Sequence, residues 1–338
     1  MKKFILLCIA LWVIIFAVPS FMSRKIWNEV PELPLPIVAD DTTEEESAVQ
    51  LADNDVTVTL NYNGEIKNIP LGEYLEGVVA SEMPALFPDE ALKAQAVAAR
   101  TYTMKKIAAP PAEEHNGAAV CNNPSHCKGY EPISAFASNW NTATEEYTKK
   151  IRRSVTETDG EILLYEGEPI TAVFHSTSSG KTENAADVWG GNVPYLVSVD
   201  SYGEEASPRF EEKKTFDPEE FKKIFLNKYQ NAAFDPNPEN WVTDISRSEA
   251  GGVKTLKVGK VQLKGSELRT LYNLNSTNFT IYYISGKLEI TCRGYGHGVG
   301  MSQYGARAMA LDGKNYREIL AAYYTGTELG KISQKPNQ

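Results

Sequence analysis

LGEYLEGVVASEMPALFPDEALKAQAVAAR, residues 71–100, is the stretch on which the reading of the fold turns. It predicts two short helices broken at Ala85-Leu86-Phe87, between Pro84 and Pro88. Tyr74, Leu75, Val78, Val79 and Met83 recur at helical spacing, so the segment from Glu73 to Met83 can bury one face. Pro84 forbids continuation and biases Met83 towards extended backbone. Glu82 then falls at the closing end of an apolar helix, beside a turn. The helix dipole and partial burial both disfavour a carboxylate there, which is what a general acid requires. Taken alone, a single glutamate near a helix end is ordinarily solvated surface. The second helix opens with Pro88, Asp89 and Glu90 and runs on through LKAQAVAARTYTMKKIA. Leu92, Ala96, Ala99 and Thr103 can pack, while Arg100 projects from a small-residue surface that lets another helix come close. With the first helix as that partner, Arg100 is expected to reach Glu82 and to orient it or an anionic group of a substrate.

Upstream, Lys2 and Lys3 precede an uncharged run from Phe4 to Met22, close to the ~20 residues that cross a bilayer as a helix. Positive residues come first, so the N-terminus is expected in the cytoplasm. No small-x-small pair stands cleanly before Arg24, which favours an uncleaved anchor over a cleaved signal peptide. Residues 23–54 carry Pro31, Pro34 and Pro36, then Asp40, Asp41 and Glu44 to Glu46, and read as an acidic linker. The expected fold class is α+β, with a single N-terminal transmembrane helix at 1–22 and a mixed ectodomain of β-hairpins and short helices at 55–335. A net charge of −10 without a basic patch excludes nucleic acid as a partner. Asp55 to Tyr62 alternates, Asn63-Gly64 turns it, and Ile66 and Ile69 return, which predicts a hairpin leading into the Glu82 helix.

The turn-rich loop at 110–130 gathers His115, Cys121, His126 and Cys127. Two thiolates and two imidazoles make the tetrahedral set of a structural zinc site. The alternative is a Cys121–Cys127 disulfide with incidental histidines. Cys292, inside an apparent strand, reads as a buried free thiol. Glu161 to Tyr165 and Pro169 to His175 flank the turn at 166–168 and predict a second hairpin. It delivers His175-Ser176-Thr177-Ser178-Ser179-Gly180 to a surface loop, where the Ser176 and Ser178 hydroxyls suit sugar hydrogen bonding. No Gly-x-Ser-x-Gly elbow supports a serine hydrolase. Tyr195 offers an aromatic platform for a sugar face, whereas Trp189 is expected in the core. Asp217 to Tyr229 reads as an amphipathic helix, Val253 to Leu263 as a strand, and Phe279 to Cys292 as a third hairpin. Glycines at 294, 296, 298 and 300 let the backbone approach a ligand or another strand closely. Their spacing matches neither a dinucleotide fingerprint nor a phosphate loop. His297, among them, is a further site candidate.

Three blocks carry a resemblance. Ala80-Ser81-Glu82-Met83-Pro84 with LKAQAVAARTY after it, HSTSSGKTENAADVWG at 175–190 and GYGHGVGMSQYGA at 294–306 resemble, in order, those of the stage II sporulation protein D and amidase-enhancer family. The similarity covers nearly all of the chain after residue 55. It implies a membrane-anchored lytic transglycosylase of peptidoglycan, cutting between N-acetylmuramic acid and N-acetylglucosamine on strands already stripped of peptides. It also implies work in the mother-cell membrane during engulfment, with the sporulation M and P proteins as partners. Glu82 would be the catalytic residue, protonating the glycosidic oxygen and then assisting the sugar's own 6-hydroxyl. One carboxylate suffices, because that hydroxyl replaces the water or nucleophile handled by a second acid in ordinary glycosidases. Arg100, Ser176, Ser178, Tyr195 and His297 are the expected substrate contacts. The rival readings are a non-catalytic wall module that stimulates an amidase, and a zinc hydrolase. Full protein coordination of the metal, which leaves no place for activated water, argues against the hydrolase.

Overall fold

The computed structural model describes residues 49–334. The expected anchor at 1–22 and all but the end of the linker lie outside the described residues. Within them, no helix is long and apolar enough to cross a membrane. The end of the expected linker belongs to the folded body, because Val49–Gln50 pairs with Ser333–Gln334 and Asp53 is buried. The folded body therefore begins before residue 55.

Helix α1 spans Leu71–Glu82 and ends where Pro84 requires, with Met83 in extended backbone at φ −131° and ψ 132°. Helix α2 spans Asp89–Ile107 and is buried over most of its circumference, from Ala91 to Thr103. Its alanines leave room on every side: α1, helix α3 (Thr144–Thr156), the strand Glu161–Tyr165, and helices α7 (Gln303–Leu311) and α8 (Tyr316–Tyr323) all pack on it. Between α3 and α7 in the chain come α4 (Ala185–Trp189), α5 (Pro218–Lys228) and α6 (Gly265–Leu271). The first core forms around α2, with Leu75, Val79, Leu92, Val97, Ile151, Leu163 and Tyr323 among its residues.

Thr57–Tyr62 and Glu65–Pro70 form the expected hairpin, with Asn63 and Gly64 both at positive φ in the turn. Val120–Cys121 joins it as a short parallel strand and so ties the Cys/His loop to the sheet. The second expected hairpin is only half formed. Glu166 and Gly167 turn the chain, but just Glu168–Pro169 pairs back. Phe174–His175 leaves that sheet and runs parallel to Met301–Ser302 instead.

A second core occupies residues 211–293, where Phe221, Phe225, Trp241, Leu256, Leu268 and Ile290 meet beneath two three-stranded sheets. The segment read as one strand from Val253 to Leu263 is a tight hairpin, Val253–Val258 against Val261–Lys264, turned by Gly259 and Lys260 at positive φ. Phe279–Ile284 and Lys287–Arg293 form the third expected hairpin. Cys292 is buried and free, and its Sγ accepts from the Ser276 N–H at 3.2 Å.

Candidate functional site

Glu82 projects from the last residue of α1 into a cleft of ≈ 1020 Å³. The loop after the Cys/His residues lies across this helix end. Gly129 N–H donates to Glu82 Oε1 at 2.7 Å, and Glu131 N–H donates to Ser81 Oγ at 3.1 Å. The loop gets so close because residue 77 lacks a side chain: a Cβ there would stand 2.5 Å from the Glu131 carbonyl oxygen. Lys128, between these contacts, is buried with Nζ 3.6 Å from the centre of the Phe174 ring and 4.6 Å from that of Tyr102. Burial pushes its ammonium down to about 8, against the opposing pull of the Glu82 charge.

The opposite wall is made where the two glycine- and serine-rich blocks meet. Gly300 has φ +73°, and a Cβ on it would lie 2.1 Å from the Val173 carbonyl oxygen, so only glycine admits this pairing. Of the two openings that such glycines offer, a ligand or another strand, the structure takes the strand. His175, Ser176 and His297 thereby line the cleft with Trp189. The His297 ring centre is 5.3 Å from that of Trp189 and 5.7 Å from that of His175. Burial pushes His175 down to about 4; burial, then the charges of His175, Lys128 and Arg269, push His297 down to about 3. Trp189 is 52 % exposed at the rim, which corrects its expected place in the core.

The expected substrate contacts divide. Glu82, Ser176 and His297 share the cleft. Arg100 does not reach it: the side chain is fully buried, and its Nε and Nη2 hold the two carboxylate oxygens of Asp53 at 2.6 and 2.7 Å. The carbonyls of Val155 and Glu161 and the Thr158 hydroxyl take its remaining donors. The small-residue face of α2 does admit neighbours, but the one that captures Arg100 comes from the N-terminal turn. Ser178 is also withdrawn, with its N–H and Oγ both donating to Glu204. That buried carboxylate accepts from Ser201 and Ser302 Oγ as well, and so fastens the serine loop to the start of α7. Burial raises the Glu204 pKa despite these donors. Tyr195 lies outside the cleft, packed on the first core with its hydroxyl accepting from Thr171 N–H. Lys128, Arg209, Arg269 and Trp189 also line the cleft. Of these, Trp189 was singled out in sequence for the core and Lys128 stands beside Cys127; no spacing or periodicity marks the arginines.

At the wall of the cleft, where His126 and Cys127 are themselves lining residues, the Cys/His residues converge. His115 Nε2 is 2.9 Å from His126 Nδ1, Cys127 Sγ is 3.2 Å from His115 Nε2, and Cys121 Sγ is 3.6 Å from His126 Nδ1. All four donor atoms lie within 4.8 Å of one another. Both thiols are free and buried. Such spacings suit a four-coordinate ion with bonds of about 2.0–2.3 Å.

A family model described as Stage II sporulation protein matches residues 61–165. Stage II sporulation protein D of Bacillus subtilis (strain 168) is 39 % identical over 270 residues, covering 80 % of this chain and 77 % of its own. Its counterpart from Bacillus amyloliquefaciens is 35 % identical over 339 residues, covering 98 % and 96 %. The amidase enhancer of Bacillus subtilis is 29 % identical across 75 % of this chain and 40 % of its own length. With 39 % identity over 80 % of the chain and 35 % over 98 %, the chain belongs to the stage II sporulation protein D family.

Proposed function

We propose that the protein is a lytic transglycosylase that cuts peptidoglycan glycan strands and leaves 1,6-anhydro ends. The observation that carries this reading is Glu82, the one acid among the described residues lining a large cleft, half-buried and oriented by the Gly129 N–H. Glu82 protonates the glycosidic oxygen between N-acetylmuramic acid and N-acetylglucosamine, then draws the proton from the 6-hydroxyl as it closes on C1. The absence of a second acid among the described lining residues is compatible with an internal nucleophile, since an ordinary glycosidase uses two. Trp189 at the rim offers a flat apolar face to a sugar ring, and Ser176 and His297 supply polar groups beside it.

Purified full-length protein, incubated with peptide-free strands and analysed by mass spectrometry, tests the reading. Wild type should yield anhydro-ended fragments, and Glu82→Gln should lower the rate by roughly 10²–10⁴-fold, the range for losing a general acid. Reducing ends instead would show that water is the nucleophile. Binding without cleavage would favour the second reading, a module that stimulates an amidase, which the name of one relative suggests.

We also propose that His115, Cys121, His126 and Cys127 hold a structural zinc ion, with no part in the proton transfers. Metal analysis should find one zinc per chain and none in Cys121→Ser; a Cys121–Cys127 disulfide in the isolated protein would refute it. From the relatives' names we take a role in sporulation; the uncharged run from Phe4 to Met22 supports membrane attachment through residues 1–22, and the resemblance carried by the three sequence blocks supports the sporulation P and M proteins as partners. Co-purification of all three from detergent-solubilised sporulating cells tests this, and their failure to co-purify counts against it.

A further inference from the structure

The chain has a net charge of −10, yet the Glu82 cleft is cationic. Among the described residues lining it, Glu82 is opposed by Lys128, Arg209 and Arg269. None of these three cations forms an ion pair with a described residue, whereas Arg100, Arg152, Arg153, Arg293 and Arg317 each have a carboxylate partner elsewhere. Arg209 lies with its guanidinium 4.6 Å over the Tyr295 ring, which leaves its donors uncommitted. Arg269 uses Nε on the Leu274 carbonyl at 3.2 Å and keeps both terminal nitrogens free. A partly buried cation without a counter-ion, as Arg269 is, costs free energy, and an arriving anion removes that cost. The guanidinium fork fits a carboxylate with two parallel hydrogen bonds.

We propose that Arg209 and Arg269 form a carboxylate subsite in the Glu82 cleft, occupied by the lactyl carboxylate of a muramic acid residue that carries no peptide. The proposal rests on the glycan reading above. Along the sugar backbone of such a strand, this carboxylate is the anionic group. Amide linkage to a peptide removes its charge and places bulk where the arginines stand. The pair therefore makes the cleft sense whether the peptide has been taken off, and supplies the anion contact that was expected of Arg100 on α2.

The test measures binding, so that it does not depend on cleavage. Full-length Glu82→Gln protein is titrated, at fixed salt, with peptide-free strands whose lactyl groups are either free or converted to methylamides. Free-carboxylate strands should bind roughly tenfold more tightly, the discrimination expected from one charge-assisted hydrogen-bond pair. Adding Arg209→Gln or Arg269→Gln should bring that ratio towards one, and Arg209→Lys should keep part of it. Arg209 is exposed, so its variants should fold, and circular dichroism verifies this. Equal affinity for the two strands, a ratio unchanged in both glutamine variants, or no binding of either strand overturns the subsite. A charge preference that disappears with the arginines, in a protein that never yields anhydro ends, would uphold the subsite and sink the cleavage reading alone.

Discussion

Arg100 and Asp53 meet across 47 positions of sequence, and both are buried. The pair also binds the end of α3 and the following strand through Val155, Thr158 and Glu161. Removing one partner leaves a lone buried charge, so Arg100→Leu should destabilise the fold by about 3–5 kcal/mol. Asp53→Ala with Arg100→Leu should recover part of that loss. Urea unfolding of the three proteins tests the expectation. A stable Arg100→Leu protein that no longer binds strands would return Arg100 to the substrate. Sequence reasoning found the right kind of residue here and gave it the wrong partner. A guanidinium on a small-residue helix face needs a carboxylate, and which one arrives is fixed by long-range packing.

At the scale of elements, the loop from Glu113 to Glu131 has one 3-10 turn and one two-residue strand of its own. Its donor atoms converge on one point, and the same segment supplies the N–H groups that hold Ser81 and Glu82. An ion held there stabilises the loop's native path and the support of the glutamate together. A zinc chelator should therefore lower the thermal midpoint by several degrees and speed hydrogen exchange at the Gly129 N–H. Unchanged midpoint and exchange on chelation would mean that the loop stands without metal. The grouping of these four side chains was legible because His and Cys are scarce and clustered in the chain. Its proximity to Glu82 was not, since Glu82 and Gly129 lie 47 positions apart and meet only through the loop's contact with α1.

For the molecule as a whole, buried His175 and half-buried His297 set part of the pH response. His175 and His297 are pushed down to about 4 and about 3 in the fold, from about 6.5 in an unfolded chain. Depressed values mean that their contribution is present above about pH 6.5 and is lost as pH falls from there towards 4, because the unfolded chain takes up protons that the fold refuses. Glu183 and Glu204, raised by burial, act with the opposite sign: they favour the fold below the unfolded carboxyl value and weaken it as pH rises through their folded values. Comparison with His297→Gln separates the two effects. Wild type should lose about 1–2 kcal/mol more than the variant between pH 7 and pH 5 in urea unfolding, and equal losses would show that His297 is not held neutral. The sequence by itself determined the mixed α+β class of the described residues and several of the local elements. Helical spacing with Pro84 set the end of α1, Asn63-Gly64 set the first hairpin, and three blocks marked the two walls of the cleft. These signals are local, acting through backbone dihedrals and side-chain period. Tertiary structure alone decided that Arg100 is sealed with Asp53, that Ser178 serves Glu204, that Phe174–His175 pairs with Met301–Ser302, and that Arg209 and Arg269 face the cleft. Each of these joins segments distant in the chain, and no local propensity encodes which of several polar partners a folded core brings within reach.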